Sequence, residues 1–187
     1  MGWWSVTILG GDTPYDAHGW VWDRVLSKLE LGTDYSDILD EEDSPFNHDD
    51  SRLRRAFTPE FQRELLDAVK QRSQAYDQRT VYAQVLALMS IESGAGIPED
   101  LKKEFIELCA DDEWARDDKD RAMYVLDLCR SIEQSEEGQL REFPQEGLFD
   151  QLAAMVGADE GKPNAGAVLT ESDFRDPQYK LEELTNA

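Results

Sequence analysis

Residues 58–70 read Thr-Pro-Glu-Phe-Gln-Arg-Glu-Leu-Leu-Asp-Ala-Val-Lys, and their spacing decides the fold class. Thr58 supplies an N-cap hydroxyl, Pro59 fits the first helical position, and Glu60 sits at the positive end of the peptide dipoles. Phe61, Leu65, Leu66 and Val69 then recur with the period of a helix, which predicts one buried stripe. The same punctuation stands upstream at Thr13-Pro14-Tyr15-Asp16, before a stripe of Tyr15, His18, Trp22, Val25 and Leu29 that Gly32 closes. Downstream, Val81, Tyr82, Val85, Leu86 and Met89 predict a third helix ending at Ser93-Gly94. Pro98 opens a fourth with Leu101, Phe105, Ile106 and Cys109 inward. Tyr124, Val125, Leu128, Cys129 and Ile132 mark a fifth, and Phe149, Leu152, Met155 and Val156 a sixth, with Gly157 beyond it. Residues 3–9, aromatic and β-branched before Gly10-Gly11, predict a short strand or extended segment.

Short links between successive amphipathic helices favour antiparallel neighbours, so the expected fold is mainly α, a compact bundle of about six helices. Residues 1–157 form one expected domain, interrupted by an acidic loop at 33–51. Residues 158–187 are an expected polar tail that wraps the surface or orders on a partner, with one turn at Leu181 to Leu184.

Charge gives the second bound. The chain has 187 residues, with 41 acids against 19 bases and a net charge of −22. Only the stretch 51–90 has more bases than acids: Arg52, Arg54, Arg55, Arg63, Lys70, Arg72 and Arg79 against Glu60, Glu64, Asp67 and Asp77. Those interleaved acids argue for a mixed helix face, or for pairing with the acidic loop, rather than a nucleic-acid site. An anionic membrane or a phosphate backbone would be repelled by the rest. The start of the chain lacks the basic region and apolar run of a signal peptide, and no stretch has the apolar length of a membrane span. Two cysteines, Cys109 and Cys129, on separate helices are expected to be reduced and buried, as in a cytoplasmic protein.

Motifs of catalysis are weak. Asp12, Asp16 and His18 are the histidine–carboxylate grouping a metal-dependent hydrolase would use. Positions 16 and 18 do not share a helical face, however, and 12 and 16 suit capping. His48 with Asp49 and Asp50 draws its ligands from adjacent positions, unlike a dedicated metal site. The acids of 34–43 lack the spacing and glycine of an EF-hand loop. No Gly-Xaa-Ser-Xaa-Gly elbow stands near either histidine, and Gly10-Gly11 precedes Asp rather than the Lys-Ser of a phosphate loop. No metal and no cofactor is expected. Four of the five tryptophans, at 3, 4, 20 and 22, read first as core and second, at Trp3 and Trp4, as a partner-binding hot spot.

Gly2, Trp4, Asp12 and Asp16 together resemble a family of small uncharacterised bacterial and phage proteins that begin Met-Gly-Xaa-Trp and continue to an Asp-Xaa-Xaa-Xaa-Asp step. The resemblance covers about the first 25 residues. This chain departs from the pattern in its second tryptophan, in Gly10-Gly11 and in its long acidic loop. The resemblance implies a mainly helical fold and an intracellular setting, and no particular chemistry.

The functional expectation is therefore a non-enzymatic acidic protein that docks on a basic protein surface. Duplex DNA carries one negative charge per ~1.7 Å of axis, a density that acids on helices and loops can imitate, as an inhibitor of phage type aimed at a host defence protein would. The expected contact residues are Asp40, Glu41, Glu42, Asp43, Asp111, Asp112, Asp117 and Asp118, with Trp3 and Trp4. The alternatives are the hydrolase and a binding protein whose acidic surface is merely solvated.

Overall fold

The computed structural model describes residue 8 and residues 12–29, 51–73, 78–139 and 177–185, and among them eight helices. These are α1 (Asp12–Lys28), α2 (Ser51–Ala56), α3 (Pro59–Lys70), α4 (Gln78–Glu92), α5 (Glu99–Ala110), α6 (Glu113–Asp117), α7 (Lys119–Gln134) and α8 (Pro177–Thr185). The mainly α expectation holds, and no strand occurs among the described residues. The extended segment at 3–9 lies outside them except for Ile8, which is buried. The helix read around Phe149 to Val156 lies outside them too.

α4 is the axis of the fold, with α1, α2, α3, α5 and α7 packed against it. Every residue from Thr80 to Glu92 is buried, so α4 is encased rather than amphipathic, correcting the single face read from its sequence. A helix in that position must satisfy its polar side chains internally. Thr80 Oγ1 donates to the Asp111 carbonyl at 2.9 Å, and Ser90 Oγ to the Leu86 carbonyl at 2.8 Å. Gln84, buried on the same helix, belongs to the polar group described below.

The capping signature at 58–61 is realised: Thr58 Oγ1 accepts from the Phe61 amide at 3.3 Å, and Phe61, Leu65, Leu66 and Val69 are buried. Helix α1 buries Ala17, His18, Val21, Trp22, Val25 and Leu26, and it ends at Lys28, before Gly32. Tyr15, expected on that stripe, is 39% exposed, because it stands in the first turn at the margin of the buried sector. In α5, Leu101, Phe105 and Cys109 are buried as expected, while Ile106 packs at the edge.

Helix α6 is a short element inside the segment 111–120 read as a connection, α2 is a short helix in the basic stretch that follows the acidic loop, and α8 is longer than the single turn expected at Leu181 to Leu184. α8 packs on α5 and α7 with Leu181 buried, so the described part of segment 158–187 is a docked helix.

The turn from α4 to α5 is held by Gly94 (φ 72°) and Gly96 (φ 66°). A Cβ on Gly96 would stand 2.8 Å from the Glu136 carbonyl carbon, so only glycine lets the chain leaving α7 close over this turn. The Gly138 amide donates to the Gly94 carbonyl at 2.9 Å, and the Ile97 amide to Ser135 Oγ at 3.1 Å, which fasten that closure.

Candidate functional site

The segment from Asp111 to Asp120 is where the expected contact acids can be traced, and the structure divides them by role. Asp112 is 3% exposed and faces inward. Its Oδ1 accepts from the Ala115 amide at 2.9 Å, which caps α6, while its Oδ2 accepts from Arg121 Nε at 3.0 Å and Gln84 Nε2 at 2.9 Å. Arg121, fully buried, also donates through Nη2 to Gln84 Oε1 at 2.7 Å, and its guanidinium lies 5.2 Å from the Trp114 ring. One carboxylate thus supplies a helix cap and the counter-charge of a buried arginine, and its burial removes Asp112 from any surface a partner could touch.

Asp118 has a structural task as well. Its Oδ1 accepts from the amides of Asp120 and Arg121 at 2.9 and 3.0 Å, which caps α7. Asp111 pairs with Arg116 at the surface. Asp117 is exposed, as is Glu113 on the same helix, and neither makes an ion pair among the described residues. The sequence carried a signal for this division that the charge count hid: Asp112 and Asp118 each stand immediately before a helix, where a side-chain oxygen is needed for free amides. Asp40, Glu41, Glu42, Asp43, Trp3 and Trp4 lie outside the described residues.

α6 and α8 both pack on α7, and Glu182 of α8 stands beside the 111–120 segment, while Glu183 pairs with Lys180 of its own helix. Gln178 Nε2 donates to the Arg116 carbonyl at 2.8 Å, and Glu182 borders the same small recess as Asp112 and Arg116. Two acidic segments distant in sequence therefore share one side of the molecule.

The bases of the basic stretch are spent differently. Arg63 donates to Glu104 Oε1 at 2.6 Å and to Asp100 Oδ2 at 3.0 Å, and Lys70 also pairs with Glu104. The hydrogen bonds from Lys70 and then Arg63 hold the Glu104 carboxyl below the usual glutamate range. Arg72 lies over two aromatic rings, 3.6 Å from the centroid of Tyr82 and 4.7 Å from that of Trp20. The Tyr82 hydroxyl is pushed up, chiefly by burial. Arg63 and Lys70 thus pair with α5, and Lys70 also with Asp67 on its own helix, in keeping with the mixed helix face expected there, while residues 33–50 of the acidic loop lie outside the described residues.

Of the catalytic alternative, His18 is fully buried and Asp16 exposed, so the two do not converge. No group of three or more metal-capable side chains occurs among the described residues. Cys109 and Cys129 are free and buried; burial pushes the Cys129 thiol up to about 12 and the Cys109 thiol well above its ordinary value. No helix among the described residues is long and apolar enough to cross a membrane. No family model, curated protein or solved structure matches the chain.

Proposed function

We propose that this is a non-enzymatic interaction protein of the cytoplasm that docks its acidic side on a basic protein surface, of the kind that nucleic-acid-binding proteins present. The observation that carries the reading is the separation of charge. The bases of α3 are engaged by α5, while Glu113 and Asp117 remain exposed without an ion pair among the described residues. Uncompensated charge collected on one side accelerates encounter with an oppositely charged partner and selects against others. Two reduced, buried thiols suit the cytoplasmic setting. The finer reading, a mimic of DNA charge acting as a phage-type inhibitor of host defence, rests on the same anionic density.

The test is capture of proteins from a cell lysate by the full chain and by a Glu113→Lys/Asp117→Lys variant, at low and high salt, with duplex DNA as competitor. These two exposed positions replace Asp112 and Asp118, whose reversal would unfold the caps. The reading expects basic nucleic-acid-binding proteins to be retained at low salt and lost at high salt, on charge reversal and under DNA competition. Retention indifferent to salt, to reversal and to DNA defeats it.

A further inference from the structure

Helix α8 is held lightly for an element that covers part of the core. Its nine residues are too few to stay helical alone in water, so its order depends on its seat against α5 and α7. Pro177 and Leu181 are buried there, while Leu184 is only partly covered and the hydrogen bond from Gln178 to the Arg116 carbonyl is exposed to solvent. Packing is also incomplete. A recess of about 30 Å³, room for one water molecule, stays open between Leu181 and Glu182 on α8 and Ala110, Ala115 and Arg116 opposite. A gap beside the main anchor forfeits dispersion contacts that a filled interface would gain. An element so seated opens at a lower free energy than the core around α4.

The seat is more permanent than its occupant. α5 and α7 are both packed against the encased α4, so the face that receives Leu181 belongs to the core and persists when α8 leaves. Pro177, Gln178, Leu181 and Leu184 fall at i, i+1, i+4 and i+7, the anchor spacing with which a groove reads one face of an amphipathic helix.

Charge indicates what a better occupant carries. α8 has two acids against one base, and that base, Lys180, pairs with Glu183 inside the helix. Across the recess, α6 also has two acids, Glu113 and Asp117, against Arg116, which pairs with Asp111. Two helices of net negative charge therefore meet at the seat of α8, and juxtaposition of like charge weakens docking. A helix with bases in place of Glu182 and Glu183 gains the attraction that α8 lacks.

We propose that the face of α5 and α7 is a helix-docking seat, that α8 is its displaceable occupant in cis, and that the partner it fits is a basic amphipathic helix with leucines in the spacing of Leu181 and Leu184. The charge of that partner rests on the docking reading above. The test uses the full chain and three synthetic peptides of residues 174–187: the native sequence, Glu182→Lys/Glu183→Lys, and the same basic peptide with Leu181→Ser/Leu184→Ser. In the wild-type chain, the basic peptide is expected to accelerate amide exchange in α8 and to shift the amides of Ala110 and Ala115, and the serine peptide to do neither. In a full chain carrying Leu181→Asp, which unseats its own α8, the basic peptide is expected to bind about tenfold more tightly than the native one. Preserved amide dispersion in α4 certifies that this variant folds, and the exchange measurement on the wild-type chain does not depend on it. Unchanged exchange in α8, equal action of the serine peptide, or equal affinity of the native and basic peptides overturns the proposal. Salt-sensitive binding of the basic peptide while α8 stays protected also overturns it but leaves the docking reading standing, so the two fail separately.

Discussion

At the residue scale, Asp112 concentrates more consequence than any other acid described. Its replacement by alanine withdraws a cap acceptor from α6, an acceptor from Gln84 and the counter-charge from a guanidinium sealed inside the core. Stranding a buried charge costs far more than the pair contributes as a whole. Asp112→Ala is therefore expected to lose about 3–5 kcal/mol in urea unfolding, and Asp112→Ala/Arg121→Met to recover much of that loss. A single-variant loss below about 1 kcal/mol, the size of an exposed pair, shows the network to be unimportant. This residue also marks where sequence reading fails. In the run from Asp111 to Asp120 every acid has the same letter-level charge, and only the start positions of α6 and α7 separate a cap from a surface acid. Trp22 and Leu66, by contrast, are legible because periodicity alone assigns their side.

At the element scale, α3 and α5 were readable because each carries several apolar residues on one face and a clear start, while α7, buried at every position from Arg121 to Leu126, showed its apolar spacing but not how fully it is enclosed. α2 and α6, with 6 and 5 residues, are too short to show a period. α4 shows the opposite problem: its apolar residues exceed one stripe, so the pattern identifies a helix but not its encasement. The link between α3 and α5 through Arg63, Lys70 and Glu104 joins positions 34 and 41 residues apart, which no local pattern reports. A carboxyl whose folded pKa is depressed stabilises the fold above its unfolded value, about 4.3, and that contribution disappears as pH falls through the lower folded pKa. Solvent screening limits the effect, since a third of the Glu104 side chain is exposed. Glu104→Gln should cost at most about 1 kcal/mol at neutral pH, with urea midpoints of variant and wild type converging as the medium is acidified below the glutamate range. Midpoints that stay equally separated in acid would exclude this origin.

At the scale of the whole molecule, the helical class followed from the sequence, while the arrangement did not, because it depends on contacts between distant segments. α8 is the clearest instance: it belongs to a polar stretch, yet it seats Leu181 against α5 and α7 and brings Glu182 to the recess that Asp112 and Arg116 line. Leu181→Ala is expected to lower unfolding stability by about 2 kcal/mol, with amide exchange in α8 accelerating ahead of α4. Uniform protection across both helices with unchanged stability would show that α8 adds nothing to the fold. The same docking makes the acidic side a composite of segments far apart in the chain, so its charge pattern exists only in the folded state. The sealed cysteines have a practical consequence. With both native thiols inert inside the core, a cysteine introduced in place of exposed Ser27 becomes the sole attachment point for a fluorescent dye. The fold can then be watched in single molecules without removing any residue that the core or the docking side requires.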